Sequence, residues 1–301
     1  MSKLAKLCGC RLPVVAGAMA WAWLTPMVGL AVADPAQMSQ GQASQGGDCP
    51  TTTGKPADLP RSRVYAEVPF KSGESATYEL TWSGIKAGYA TMEVRAPRRH
   101  EGFWHRVFHI DAATGDWFKA IFVAKESMEA VSRPWDFGVS QFYLEQNEGR
   151  LFGTSFQQKK WLSFDHDRCH VHERIQLPEK PEDNVDHELA YGANDALGVV
   201  YNLRTRNFKL GTIERALVYT SEKNWFLEAE PVAMERITVP AGTFDTVKLK
   251  LQTFIGKDLQ QKGDVWAWIS TATPERQLVQ VQGEIKIGSV WIKLSSYTPG
   301  S

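Results

Sequence analysis

The stretch that decides the fold is Ala76-Thr77-Tyr78-Glu79-Leu80-Thr81-Trp82, followed by Ser83-Gly84-Ile85-Lys86-Ala87-Gly88 and then Tyr89-Ala90-Thr91-Met92-Glu93-Val94. Large and polar residues alternate in the first run, so Tyr78, Leu80 and Trp82 share one face of a strand. Two glycines mark the turn, and a second alternating run follows it. This is a hairpin pattern. Working outward, turn residues at 97–102 precede a strand over 103–112. Further strands are expected over 125–131, 139–146, 150–157, 160–165 and 169–175. The segment 178–187 breaks the series with two prolines and many acids. After it, strands resume at 214–221, 223–230, 235–239, 245–253, 264–269, 278–285 and 289–294. Val239-Pro240-Ala241-Gly242-Thr243-Phe244 forms one of the turns. Turn signals every 8–12 residues suit a meander. The fold class is mainly β: an antiparallel curved sheet or open barrel, with one covering helix near 194–206. Asn194 or Asp195 can cap that helix, and Leu197, Val200, Tyr201 and Arg204 follow at helical spacing.

The ends of the chain set its compartment. Lys3, Lys6 and Arg11 precede an apolar run over 12–32, which closes with Ala31-Val32-Ala33 before Asp34-Pro35. Small residues at these positions fit signal peptidase, so 1–33 reads as a signal peptide cut after Ala33. The rival reading is a membrane anchor, because the run is about long enough to span a bilayer by the ~20-residue rule. Cys8 and Cys10 lie before the run, which is the wrong side for a lipidation site. Residues 34–61 are rich in Gln, Ser, Gly and Thr and form a flexible leader. A single β domain then covers 62–298. The expected destination is the periplasm, with no membrane span left after cleavage.

Thirty-four basic residues balance 34 acidic ones, which argues against a nucleic-acid partner. Removal of the signal leaves Cys49 and Cys169. In an oxidising compartment these suggest a disulfide tying the leader to the domain.

Tryptophan is abundant: 11 in the chain, nine of them beyond residue 33. Broad rings spread over a twisted sheet either thicken a core or line a cavity. The candidate ligand contacts are Trp82, Tyr201, Arg204, Trp266 and Trp268. Arg204 would need a carboxylate partner, because a buried unpaired charge is costly. The helix can plug the open side of the sheet or gate a cavity. His166, His170 and His172 share a strand face and could meet a metal, but no other compact pair completes the shell, so no metal ligand is assigned. No nucleophile elbow, phosphate loop or dinucleotide fingerprint occurs. Paired carboxylates remain open, since their spacing belongs to the fold. Glu74, Asp116 and Asp195 near turns read first as turn or cap residues.

The motifs Pro69 through Glu74, Tyr78 through Trp82, Gly84 through Gly88, Asp195 through Arg204, Val239 through Phe244 and Val265-Trp266-Ala267-Trp268-Ile269, in that order, resemble domain-of-unknown-function family 3108. Gly198 departs from the serine usual there. The resemblance implies an exported bacterial β protein without assigned catalytic residues. The C-terminal half is also loosely similar to LolA-type periplasmic lipoprotein carriers, a likeness of fold that does not fix function. The expectation is a non-enzymatic protein that binds an apolar or lipidic envelope ligand, lipid or lipoprotein, and uses no cofactor. The alternatives are an enzyme acting on envelope glycan through carboxylates, or a structural part of an envelope complex.

Overall fold

The computed structural model describes residues 65–301, apart from 117, 118, 120, 121, 151–154, 257, 261, 262 and 285–287. The expected signal peptide, leader and Cys49 lie outside the described residues. Fifteen strands follow in chain order: β1 (Ser75–Trp82), β2 (Ile85–His100), β3 (Phe103–Thr114), β4 (Phe122–Ser132), β5 (Val139–Arg150), β6 (Phe156–Asp165), β7 (His170–Gln176), β8 (Asp183–Glu188), β9 (Glu214–Thr220), β10 (Lys223–Val239), β11 (Gly242–Ile255), β12 (Asp258–Leu259), β13 (Val265–Ser270), β14 (Leu278–Glu284) and β15 (Ser289–Thr298). Among the described residues one short α-helix, α1 (Gly198–Arg204), stands between β8 and β9.

All fifteen strands form one antiparallel sheet in the order β8-β7-β6-β5-β4-β3-β2-β1-β15-β14-β13-β11-β10-β9, with β12 paired to β11. The centre is a long-range pairing, β1 against β15, in which Leu80 faces Ile292 and Tyr78 faces Leu294. Eight strands therefore run from β1 to one margin as a simple meander, and the last strands run to the other. Local turn chemistry accounts for the meander. Ser83 and Gly84 have φ of 48° and 83°, and Glu101 and Gly102 have 48° and 84°. Paired positive φ values give a two-residue turn whose twist matches that of the strands it joins.

The sheet curls but does not close into a barrel. The segment 189–195 spans the gap between its margins. Leu189 N–H donates to Cys169 O and Val139 N–H to Ala193 O. On the opposite margin, Asn194 N–H donates to Leu217 O and Asn194 O accepts from Tyr219 N–H. Val139, Phe164, Val171, Leu189, Ala193 and Tyr219 pack together along this seam. α1 lies inside the curl with all seven residues buried. A helix this short is not stable alone, so the core residues drawn from both flanks hold it. Tyr201 stacks on Phe108, ring centroids 4.0 Å apart, and meets Phe70 edge-on at 5.1 Å.

Several boundaries differ from the sequence reading: β2 begins at Ile85, inside the expected first turn, and runs to His100, through most of the turn expected at 97–102. The runs at 150–157 and 160–165 are not two strands, because β6 continues through 158–160. Residues 183–188, inside the expected break, form edge strand β8, which is almost wholly exposed and so lacks the apolar pattern by which strands are read. The runs at 223–230 and 235–239 are one strand, β10, that stays paired to β11 through a bulge between Pro231 and Ala233. A bulge shifts the period-2 pattern by one residue, which reads as a break in sequence.

Candidate functional site

Tyr201 and Arg204, expected at a ligand site, instead fasten α1. Asp195 caps the helix: its Oδ1 accepts from Leu197 N–H at 2.8 Å and from Gly198 N–H at 2.9 Å. Burial pushes the Asp195 carboxyl up to about 6, against the pull of those two hydrogen bonds. At the other end of α1, Arg204 donates from Nη1 and Nη2 to the two oxygens of Glu74, at 2.6 and 2.9 Å. Its Nε donates to Arg276 O and Nη2 also to Glu275 O, and Tyr297 O–H adds a further bond to Glu74. This charge is paired and 4% exposed. The helix is a plug, and Tyr201 is part of what it seals.

Trp82 is half-buried and packs against the core from β1. Trp266 and Trp268 do not join it. On β13 the core takes Val265, Ala267 and Ile269, so the two tryptophans project from the opposite, outer face. There they belong to two cross-strand rows. One runs Lys248, Trp268, Gln280, Lys293, and the other Lys250, Trp266, Gln282, Trp291. Lys248 Nζ lies 4.6 Å from the Trp266 ring centroid, and Lys293 Nζ lies 5.1 Å from that of Trp291. Trp268 stacks on Trp291 at 6.4 Å, and its Nε1–H donates to Glu235 at 2.7 Å. The lysines are only loosely paired, Lys248 with Glu235 and Lys250 with Asp264, each at 3.7 Å. The tryptophans of β13 therefore line no interior. They join an aromatic and basic strip on the outer face, in which Trp266 is half-buried and Trp268 is buried against Trp291 and Glu235.

A second concentration of chemistry lies on the inner face, where β4, β5 and β6 run side by side. Gln146 stands between Glu126 and Gln158 in the register of these strands. Its Nε2 donates to Glu126 at 3.3 Å and also to Glu148, and its Oε1 accepts from Gln158 at 2.5 Å. Burial, reinforced by the charge of Glu148, raises the Glu126 carboxyl well above the usual carboxylate range. Along the same face, Glu173 accepts from Lys160 at 2.6 Å and from His187 at 2.8 Å. Burial alone would raise Glu173, but these two partners outweigh it and hold its carboxyl low. The arrangement thus places two buried carboxyl groups, Glu126 and Glu148, beside one amide. The sequence reading passed over these residues. The available signal was Glu126 itself, which interrupts the apolar series Ala124, Met128, Ala130 on the inward face of β4.

A surface groove of about 540 Å³ lies elsewhere, beside the bulge of β2. Its walls include Arg95 and Arg98, both paired with Glu129 at 3.1 and 2.6 Å. None of the expected ligand residues reaches it.

A family profile described as "Protein of unknown function (DUF3108)" matches residues 77–295, from β1 to β15. The chain belongs to the DUF3108 family. The matched span begins and ends on the β1–β15 pairing that joins the two flanks, so the family unit is the whole curled sheet. No curated protein matches this DUF3108 chain. Among solved structures it is similar to a β-barrel-like protein of domain of unknown function DUF1849 from Brucella abortus, at 8% identity and a TM-score of 0.52, covering 78% of this chain and all of the other. That likeness is one of fold. A protein of YmcC-like fold from Bacteroides fragilis, assigned as exported, shares 11% identity over 77% of this chain and 98% of its own, with a TM-score of 0.33. A protein assigned as a lipoprotein from Parabacteroides distasonis shares 14% identity over the same fractions, with a TM-score of 0.30. No helix among the described residues is long and apolar enough to cross a membrane.

Proposed function

We propose that this DUF3108 protein is an exported, non-enzymatic envelope protein that binds lipid, and that it does so on the outer face of β11, β13, β14 and β15. The observation that carries the reading is the double row of lysine and tryptophan on that face. Indole rings favour the headgroup level of a membrane, and lysines favour anionic headgroups. Both residue types stand here on one side of one sheet. Carboxylates at 3.7 Å hold Lys248 and Lys250 weakly enough for phosphates to compete. The interior supports a different role, because α1 and its aromatic neighbours fill it with side chains. Lipid is therefore met at the surface, through Trp266 and Trp291, rather than carried inside. Flotation with vesicles of phosphatidylcholine, with and without phosphatidylglycerol, tests the reading. The chain should float with the anionic vesicles, less so at high salt, and the double change Trp266→Ala with Lys248→Glu should abolish it. Failure to float with either vesicle would end the proposal.

The Glu126–Glu148 pair favours a second reading, acid–base chemistry on an envelope glycan. The two carboxyls share the Gln146 amide, and paired carboxyl groups are the usual equipment of glycoside hydrolysis. Release of reducing ends from purified envelope glycan, lost in Glu126→Gln, is the outcome this reading requires. An inactive native protein would remove it.

A further inference from the structure

The outer face near the β8 margin carries a third cluster. His170 and His172 are two residues apart on β7, so their side chains share a face. β8 pairs with β7 so that Asp186 stands opposite His172 and Glu188 opposite His170. Asp186 Oδ1 lies 2.8 Å from His172 Nδ1 and 3.2 Å from His170 Nε2, and the three atoms lie within 4.8 Å of one another. All three side chains are open to solvent, at 44, 50 and 63% exposure for His170, His172 and Asp186.

We propose that His170, His172 and Asp186 form a binding site for a divalent transition ion of the zinc class. The geometry carries the proposal. A tetrahedral ion about 2.0–2.2 Å from nitrogen and oxygen ligands holds those ligands roughly 3.3 Å apart. The two imidazoles already sit near that distance from one carboxylate oxygen, so ion binding needs side-chain adjustment and no backbone movement. The ion takes the place of the protons that now bridge the imidazoles to Asp186. Two nitrogens and one oxygen suit zinc and its neighbours, whereas calcium and magnesium prefer oxygen alone. Three protein ligands leave a fourth position that faces solvent. Asp165 and Glu188, the cross-strand neighbours of His170, add negative charge around the cluster. His166, expected on the same face, is not a ligand: it is buried, with Nε2–H donating to Val139 O and Nδ1 accepting from Gly192 N–H. Asp186 supplies the third group that the sequence did not show, from a strand that sequence reading takes for a break.

Such an ion would staple β8 to β7. β8 is an edge strand with few apolar contacts, so it is the element an ion would steady most. Calorimetric titration of the untagged chain with zinc, paired with hydrogen exchange over 183–188, tests the proposal. One ion should bind per chain, and exchange in β8 should slow. Binding should weaken at least about ten-fold in both His172→Ala and Asp186→Asn, with thermal melts showing that these exposed changes leave the domain folded. Substoichiometric uptake by the native chain, or equal uptake by the variants, would overturn it.

Discussion

The Arg204 guanidinium forks onto the Glu74 carboxylate across 130 residues of sequence, with bonds of 2.6 and 2.9 Å and both groups almost completely buried. The pair joins the last residue of α1 to the residue just before β1. It therefore links the plug to the strand at the centre of the sheet.

Breaking this pair should cost more than removing it. Glu74→Ala leaves a buried guanidinium without its carboxylate, and the expected loss is about 3–5 kcal/mol. The double change Glu74→Met with Arg204→Met removes both charges and should recover much of that loss. Urea denaturation of the three proteins reads the difference. Equal stability of the single and double variants would show that the charges are not coupled.

Asp195 gives a pH signature. Its folded pKa of about 6 lies above the unfolded value of about 3.9. The native state therefore binds this proton more tightly than the unfolded chain does. The stability it contributes is complete below about pH 4 and is lost as pH rises through about 6. Asp195→Asn keeps an oxygen for the Leu197 and Gly198 N–H groups and carries no charge. It should match the native protein near pH 4 and exceed it at pH 7.5 by up to about 3 kcal/mol. Melting curves at the two pH values check this, and a gain of equal size at both would be contrary to it.

Gly198 opens α1, where alanine is normally the better helix former by about 1 kcal/mol. Here a Cβ would stand 2.7 Å from Asp195 Oδ2 and 3.1 Å from Ser132 Oγ. Asp195 cannot retreat without giving up its two capping bonds. Gly198→Ala should therefore destabilise by about 1–2 kcal/mol, measured by denaturant midpoint. A stabilised variant would mean that the crowding is relieved elsewhere.

Intact mass of protein taken from the periplasmic fraction tests the expectations that fall on the N-terminal region. We infer a mature chain beginning at Asp34 with Cys49 bridged to Cys169. Support comes from the place of Cys169, half-buried at the β6–β7 turn. Reduction should add the mass of two hydrogens. A mass that includes residues 1–33, or two thiols free before reduction, would count against the respective inference.

The strands were legible wherever alternation was intact. Tyr78 and Leu80 read correctly as one face, and the turn at Ser83-Gly84 was visible in its residues. Legibility failed where the period failed. The bulge at Pro231 split β10 in two, and the exposed residues of β8 concealed a strand. Arg204 was recognisable as a charge in need of a carboxylate, but Glu74 was not identifiable as its partner, since helix spacing gives no information across 130 residues.

The sequence by itself determined a β protein of hairpins with a covering helix near 194–206, because period-2 and period-3.6 patterns are local and survive without tertiary structure. Only the tertiary structure decided which strand face turned inward, and with it the meaning of the site residues. An alternating strand has two equivalent faces until pairing and curvature choose one. On β13 that choice gave Val265 and Ala267 to the core and put Trp266 and Trp268 outside. On β4 and β5 it gathered Glu126, Gln146 and Glu148 within. At the margin it set Asp186 against His170 and His172. Each juxtaposition depends on register between strands, which alternation within one strand does not encode.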